Sequence, residues 1–180
     1  GISAFRLGDL FGMLAFDAAE RTDLYAPARL SRGTGSLMAE RLRECSGAPG
    51  DIRGLEQTIT RLAGRQGLVF LVSDFHWPLD SLGSILDLLA TAFVVPVIVW
   101  DRAEVEPPTR NAIAPLHDLE SNSRRTLWLR PSLRERWRDA VVDRRNQLDA
   151  LFRERAIRPF FIEGAFDPDA MSRYFFEAIG

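Results

Sequence analysis

Apolar residues along this chain fall into two patterns, short unbroken runs and longer stretches with helical spacing. Phe11-Gly-Met-Leu-Ala-Phe16, bounded by Gly8-Asp9 and Asp17, has the length and limits of a buried strand. Asp23 to Leu30 reads as a weaker strand, and Pro27 within it predicts an edge position because proline gives the ladder no donor. Ser31 to Gly35 is turn-like, with Thr34 or Ser36 placed to cap a helix running to about Glu44. After a loop from Ser46 to Gly50, Asp51 can cap a second helix to about Ala63, which carries Leu55, Ile59 and Leu62 on one face. Leu68-Val-Phe-Leu-Val72 is the strongest strand, and its lack of polar alternation predicts helices over both faces. Leu79 to Ala92 is a helix with Leu82, Leu86 and Leu89 aligned, and Val94 to Trp100 is a further buried strand. This strand, helix, strand series predicts a βαβ unit, hence a parallel sheet with a right-handed crossover.

Beyond Glu104 the pattern changes. Pro107-Pro108 marks a loop, and Ile113 to Leu119 with Arg124 to Leu129 predicts a polar hairpin around Ser121-Asn122. Ser132 is placed to cap a long helix to about Ala156, with Leu133, Trp137, Val141, Leu148 and Phe152 as its buried stripe. A short strand, Arg158 to Ile162, and a helix, Pro168 to Ile179, follow. The expectation is an α/β fold in one domain over residues 1–180, with a β-hairpin insertion at about 104–130. No repeat, low-complexity tract or long linker interrupts it.

Composition narrows the function classes. A net charge of −2 gives no reason to expect nucleic acid or an acidic membrane surface. All 23 basic residues are arginine, which reads as coding bias, since a need for guanidinium groups would enrich certain sites without erasing lysine everywhere. Arg124 to Arg158 holds 11 arginines, but Glu135, Asp139, Asp143, Asp149 and Glu154 interleave with them. Arg145–Asp149 and Asp149–Arg153 are helical neighbours, so an ion-paired helix face is expected there. The single cysteine, Cys45, excludes an intrachain disulfide framework and a Cys-rich zinc site and fits a reducing, cytoplasmic setting. No signal peptide is visible, and the longest apolar run, Ala90 to Trp100, is too short to span a bilayer.

Candidate chemistry gathers at strand ends. Asp17, Asp74 and Asp101 each follow an apolar run, and the carboxyl ends of parallel strands form the crevice where ligands bind. Aspartates there could hold a hard cation through oxygen ligands, or simply cap helices and loops. Asp74 departs most from the second reading, because it stands beside Ser73 at the end of the most apolar strand. Thr34, between Gly33 and Gly35, could face a ligand or cap its helix. His76, beside Trp77, could line the crevice, whereas His117 is far away in sequence. There is no G-x-S-x-G elbow, no Walker loop and no dinucleotide glycine fingerprint.

The segments Gly8-Asp-Leu-Phe-Gly-Met-Leu-Ala-Phe-Asp17, Leu68-Val-Phe-Leu-Val-Ser-Asp-Phe75 and Val97-Ile-Val-Trp-Asp101 resemble a bacterial von Willebrand factor A-like family whose members are encoded beside MoxR-type AAA+ ATPases. His117-Asp-Leu-Glu-Ser121, Arg124-Arg-Thr-Leu-Trp-Leu-Arg130 and Pro159-Phe-Phe-Ile-Glu-Gly164 resemble its MxaS branch, associated with methanol dehydrogenase maturation. The resemblance implies a Rossmann-like, three-layer α/β/α fold, mostly parallel with one antiparallel edge strand. It also implies a metal-ion-dependent adhesion site built from a D-x-S-x-S loop, a threonine and an aspartate. Asp74 matches the aspartate and Thr34 the threonine, but the D-x-S-x-S loop has no match in the chain. By the resemblance, Gly1 to Leu7 corresponds to the tail of the first helix, which would put the first strand and its loop upstream.

These readings lead to a protein-binding module that is not an enzyme. Its implied partners are a MoxR-type ATPase and a client enzyme that is assembled or loaded with metal, methanol dehydrogenase being the one the MxaS branch points to. Asp74 and Thr34 are the expected Mg²⁺ ligands of an intact site, with Ser73, His76 and Asp101 as partner-binding candidates. Exposed strand edges would allow homo-oligomers. The alternative is a metal-dependent phosphoester hydrolase using Asp17, Asp74 and Asp101 as ligands, with His76 near the metal.

Overall fold

The computed structural model describes residues 1–45, 51–106, 113–117, 124–128 and 130–179. These form a mixed α/β chain divided into two compact units, Gly1–Ala63 with Trp77–Leu88, and Gly64–His76 with Leu89–Gly180. Among the described residues no helix is long and apolar enough to cross a membrane.

The first unit contains helices α1 (Ile2–Leu7), α2 (Thr34–Glu44), α3 (Ile52–Thr60) and α4 (Leu82–Asp87), and strands β1 (Phe11–Met13) and β2 (Ala26–Arg29). The apolar run expected to be one buried strand to Phe16 pairs only as far as Met13, antiparallel to β2 and with a register shift. Past that point the chain bends, and Phe16 meets Glu20 in an isolated bridge. Asp17 therefore sits in a bend and not at a strand end. Its carboxylate takes a bond from Arg21 at 3.2 Å, and Arg21 also grips Asp23 at 2.8 Å. The segment expected as a strand from Asp23 opens instead with a 3₁₀ turn, Thr22–Leu24.

Helix α3 braces this bend. Its N-cap Asp51 accepts from the Arg53 amide, as the sequence predicts, and the Asp51 amide donates to the Asp17 carbonyl at 3.1 Å. Glycine at position 54 lets the helix close on the bend, since a Cβ there would stand 2.2 Å from the Asp17 oxygen. Leu55 and Ile59 are buried on α3, and Leu82, Ile85 and Leu86 on α4. Neither Thr34 nor Ser36 caps α2. The cap is Gly33, which offers no side chain, and Thr34 is the first helical residue.

The second unit is built on a parallel sheet of β3 (Leu68–Ser73), β4 (Phe93–Trp100) and β7 (Phe160–Glu163), in the order β3-β4-β7. Leu68 aligns with Phe93 and Ser73 with Ile98, while Val97 aligns with Phe160 and Trp100 with Glu163. Short helix α5 (Arg102–Val105) follows β4, and α6 (Pro131–Arg153) and α7 (Pro168–Ile179) flank β7 in sequence. Strands β5 (Ile113–His117) and β6 (Arg124–Trp128) form the expected antiparallel hairpin. Its Ser121-Asn122 turn lies outside the described residues.

Neighbouring residues of a strand point to opposite faces, and the contacts separate the two large helices accordingly. Phe160 packs on Tyr174 of α7, with Val95, Val97, Ile162, Met171 and Phe175 in the same cluster. Phe161, one residue on, carries the Arg145 guanidinium of α6 at 4.2 Å. Helices α6 and α7 thus cover opposite faces of the sheet. Strand β3 departs from the expectation of full cover. Leu68, Phe70 and Val72 are 51%, 47% and 56% exposed, although Phe175 of α7 meets Phe70 edge-on.

Helix α6 begins at Pro131, with Arg130 at the cap position in place of the expected Ser132. Leu148 and Phe152 of its predicted stripe are fully buried. The expected ion pairs along its outer face do not form. Arg145 reaches across to Glu163 at 2.9 Å, and neither Asp149 nor Arg153 has a salt-bridge partner among the described residues.

Two outcomes follow. Gly54→Ala should lower stability by about 1–3 kcal/mol through overpacking against the Asp17 carbonyl, read as a reduced urea midpoint. The Asp51 carboxyl is held below its ordinary range, first by the Arg53 amide and then by the Arg53 guanidinium. A depressed folded pKa gives stability that is present above the unfolded value and lost as pH falls through the folded one. Acid unfolding of Asp51→Asn should therefore be less steep below about pH 4 than that of the parent chain.

Candidate functional site

The carboxyl ends of β3 and β4 bring four of the predicted residues together in the second unit: Ser73, Asp74, His76 and Asp101. Asp17 and Thr34 belong to the first unit. Thr34 is buried there at the start of α2, and its hydroxyl makes no hydrogen bond to the described residues.

The geometry of the second-unit site begins with Phe75. Its φ is +55°, a left-handed conformation that a bulky residue adopts only under constraint. The strain, on the order of 1–3 kcal/mol, is offset by what the turn achieves. The Phe75 ring is completely buried and meets Phe152 of α6 edge-on, with centroids 5.7 Å apart. The Phe75 amide donates to Ser73 Oγ at 3.1 Å, and its carbonyl accepts from Arg144 Nε at 3.1 Å. With Phe75 turned inward, Asp74 and His76 on either side are left exposed.

Each neighbour is held by its own local bonds. Asp74 Oδ1 accepts from the His76 amide at 3.2 Å and from Ser73 Oγ at 3.5 Å. The Trp100 indole N–H donates to the Asp74 carbonyl at 2.8 Å, tying the end of β4 to the end of β3. Asp101 caps α5, accepting from Ala103 N at 2.7 Å, and Glu104 completes a capping box by reaching back to the Asp101 amide. Ser73 and Asp101 thus shape the backbone of the site, while Asp74 and His76 present side chains to solvent.

A groove of about 440 Å³ opens beside them, lined by His76, Trp100, Glu104, Val105, Trp137 and Arg144 among others. The His76 ring lies parallel to the Trp100 indole, 7° apart in plane and 6.2 Å between centroids, and its Nε2 is 3.4 Å from Glu104 Oε2. Trp137 of α6 donates its indole N–H to the Glu104 carbonyl at 2.6 Å. Burial pushes the Arg144 guanidinium below its usual pKa, against the opposing pull of Asp74.

The sequence pattern does not mark Trp100, Glu104, Trp137 and Arg144 as site residues. Trp137 is legible there only as a stripe position of α6. Arg144 falls between Val141 and Leu148 on the same buried side, and an arginine interrupting an apolar stripe was the available signal.

Among the described residues, no three His, Cys, Asp or Glu side chains are arranged to hold a metal ion. Asp74 Oδ1 accepts from the His76 amide, and Asp101 caps α5. The residues present do not by themselves fit an adhesion-type Mg²⁺ centre, and a metal at Asp74 would require further donors.

In comparisons with known proteins, the family described as protein of unknown function DUF58 matches residues 1–147. No curated protein and no solved structure matches the chain.

The strain at position 75 can be separated from its packing. Phe75→Ala should cost about 3–5 kcal/mol. Phe75→Gly should be no less stable than Phe75→Ala, reversing the usual order, because glycine adopts positive φ freely. Urea denaturation of the two variants measures the difference, and an alanine variant clearly above the glycine one would remove the strain from the account.

Proposed function

The chain belongs to the DUF58 family of proteins of unknown function, and from that footing we propose that it is a protein-binding module of von Willebrand factor A-like fold, working with a MoxR-type AAA+ ATPase. DUF58 proteins are often encoded next to such ATPases. The observation that carries the reading is the turn at Phe75. It fixes exposed Asp74 and His76 on a rigid strand end, beside a groove walled by indole rings, as a contact surface requires. The parallel sheet with helices on both faces, and polar residues at its carboxyl edge, supports the fold assignment. Assembly or metal loading of a client enzyme, methanol dehydrogenase in the MxaS-like case, is the process in which such a module would act. Strand β3 ends the order β3-β4-β7, and its edge would be the place for a second copy of the chain to pair.

Mg²⁺ is not needed for this reading, and any role for it depends on donors additional to Asp74. Phosphoester hydrolysis would draw on the second carboxylate oxygens of Asp74 and Asp101, since Oδ1 of each accepts from a backbone amide.

Calorimetric titration of the neighbouring MoxR-type ATPase into this chain tests the reading. Asp74→Ala should weaken binding by about 1–3 kcal/mol, a loss of roughly tenfold or more. Equal affinity of parent and variant would exclude the strand-end surface as the contact.

A further inference from the structure

The groove between α5 and α6 sets a half-exposed carboxylate among aromatic side chains, and this points to what fills it. Both indole donors are engaged with backbone carbonyls, Trp100 with Asp74 and Trp137 with Glu104. The Arg144 guanidinium is drawn to the Phe75 carbonyl through Nε and Nη2, and Asp74 offsets its charge. Glu104 adds acceptor capacity beside them. Glu104 is half-exposed, and its Oε2 has only two long contacts of 3.4 Å, to His76 Nε2 and to the Asp101 amide. Its Oε1 has no partner among the described residues. The aromatic rings of Trp137 and His76 line the groove beside this carboxylate.

An aromatic face next to an unsaturated carboxylate is complementary to a cation that brings its own donors. The chain uses the same arrangement internally, with Arg61 over Tyr25 and paired to Glu20, and Arg158 over Tyr174 and paired to Glu177. Arg145 lies over the Phe161 ring at 4.2 Å while bonding Glu163 at 2.9 Å. A guanidinium suits the groove better than an ammonium, since its plane can stack on an indole while its edge donates to Glu104.

We infer that this groove receives an arginine side chain of a partner protein, stacked on Trp137 and paired with Glu104. The inference rests on the protein-binding reading and names the chemistry recognised at that surface.

The test uses the full chain, with the short peptide acetyl-Gly-Arg-Gly-amide as probe. Binding is followed by the shift of the Trp137 indole N–H resonance, assigned with a Trp137→Phe variant. The expected result is a saturable shift with the arginine peptide, and weaker binding by the lysine analogue. The uncharged citrulline analogue should bind about tenfold or more weakly, and the aspartate analogue should produce no shift. Glu104→Gln can still accept in the capping box, and should weaken the arginine peptide by a similar factor with little change in thermal midpoint. The proposal is overturned if no peptide moves Trp137, if citrulline, lysine or aspartate matches arginine, or if Glu104→Gln binds as the parent does. Titration with the MoxR-type ATPase in parallel keeps the two ideas apart. Retained ATPase binding without an arginine response removes the groove chemistry alone, and an arginine response without ATPase binding removes the partnership alone.

Discussion

A phenylalanine held in the left-handed region of backbone space determines how this chain presents its candidate site. Had residue 75 continued in extended geometry, the alternation of β3 would have run on. The direction of the chain at Asp74 and His76 would then have followed the sheet. Instead the ring of Phe75 turns into the space before α6, where Phe152 receives it, and the carbonyl it leaves behind is held by Arg144. Core packing and site geometry therefore rest on one residue. The conformational cost is local, while the compensation comes from a helix nearly 80 positions later in the chain.

Element order is largely legible in the residue pattern, and the reasons for the misses are physical. Asp51 as a cap, the stripes of α3 and α6, the parallel pairing of β3 with β4 and the hairpin all follow from spacing and local chemistry. Strand β1 is shorter than its apolar run because the chain turns back on itself to form the Asp17–Arg21 pair and to admit Gly54, neither of which leaves a mark on hydrophobicity. The continuous apolarity of β3 predicts cover on both faces. An edge strand can carry the same residues with one face half-open, and composition does not tell the two apart.

The candidate site was legible in part. Residues at strand ends follow from the general behaviour of parallel sheets, so the position of Ser73, Asp74, His76 and Asp101 at the ends of β3 and β4 is legible in the residue pattern. The division of labour among them is not, because an aspartate that caps a helix and one that faces a ligand look alike in sequence. The groove itself joins residues from three separate stretches, around His76, Trp100 to Val105, and Trp137 to Arg144. Only the docking of α6 along the sheet brings them together. The same docking explains why the expected ladder of ion pairs along α6 gives way to the contact of Arg145 with Glu163.

The topology of the sheet also has a consequence for biosynthesis. Strand β4, the most apolar of the described strands, has β3 on one side and β7 on the other, and the residues between Trp100 and Phe160 must be translated before that second neighbour exists. At ribosomal speeds of about 5–20 residues per second, the far edge of β4 stays unpaired for several seconds on every nascent chain. Throughout that interval the polypeptide displays an apolar ribbon with free backbone donors and acceptors, the kind of surface that holdase chaperones retain. The yield of native protein in a cell should accordingly depend on chaperone supply during elongation as much as on the stability of the finished fold.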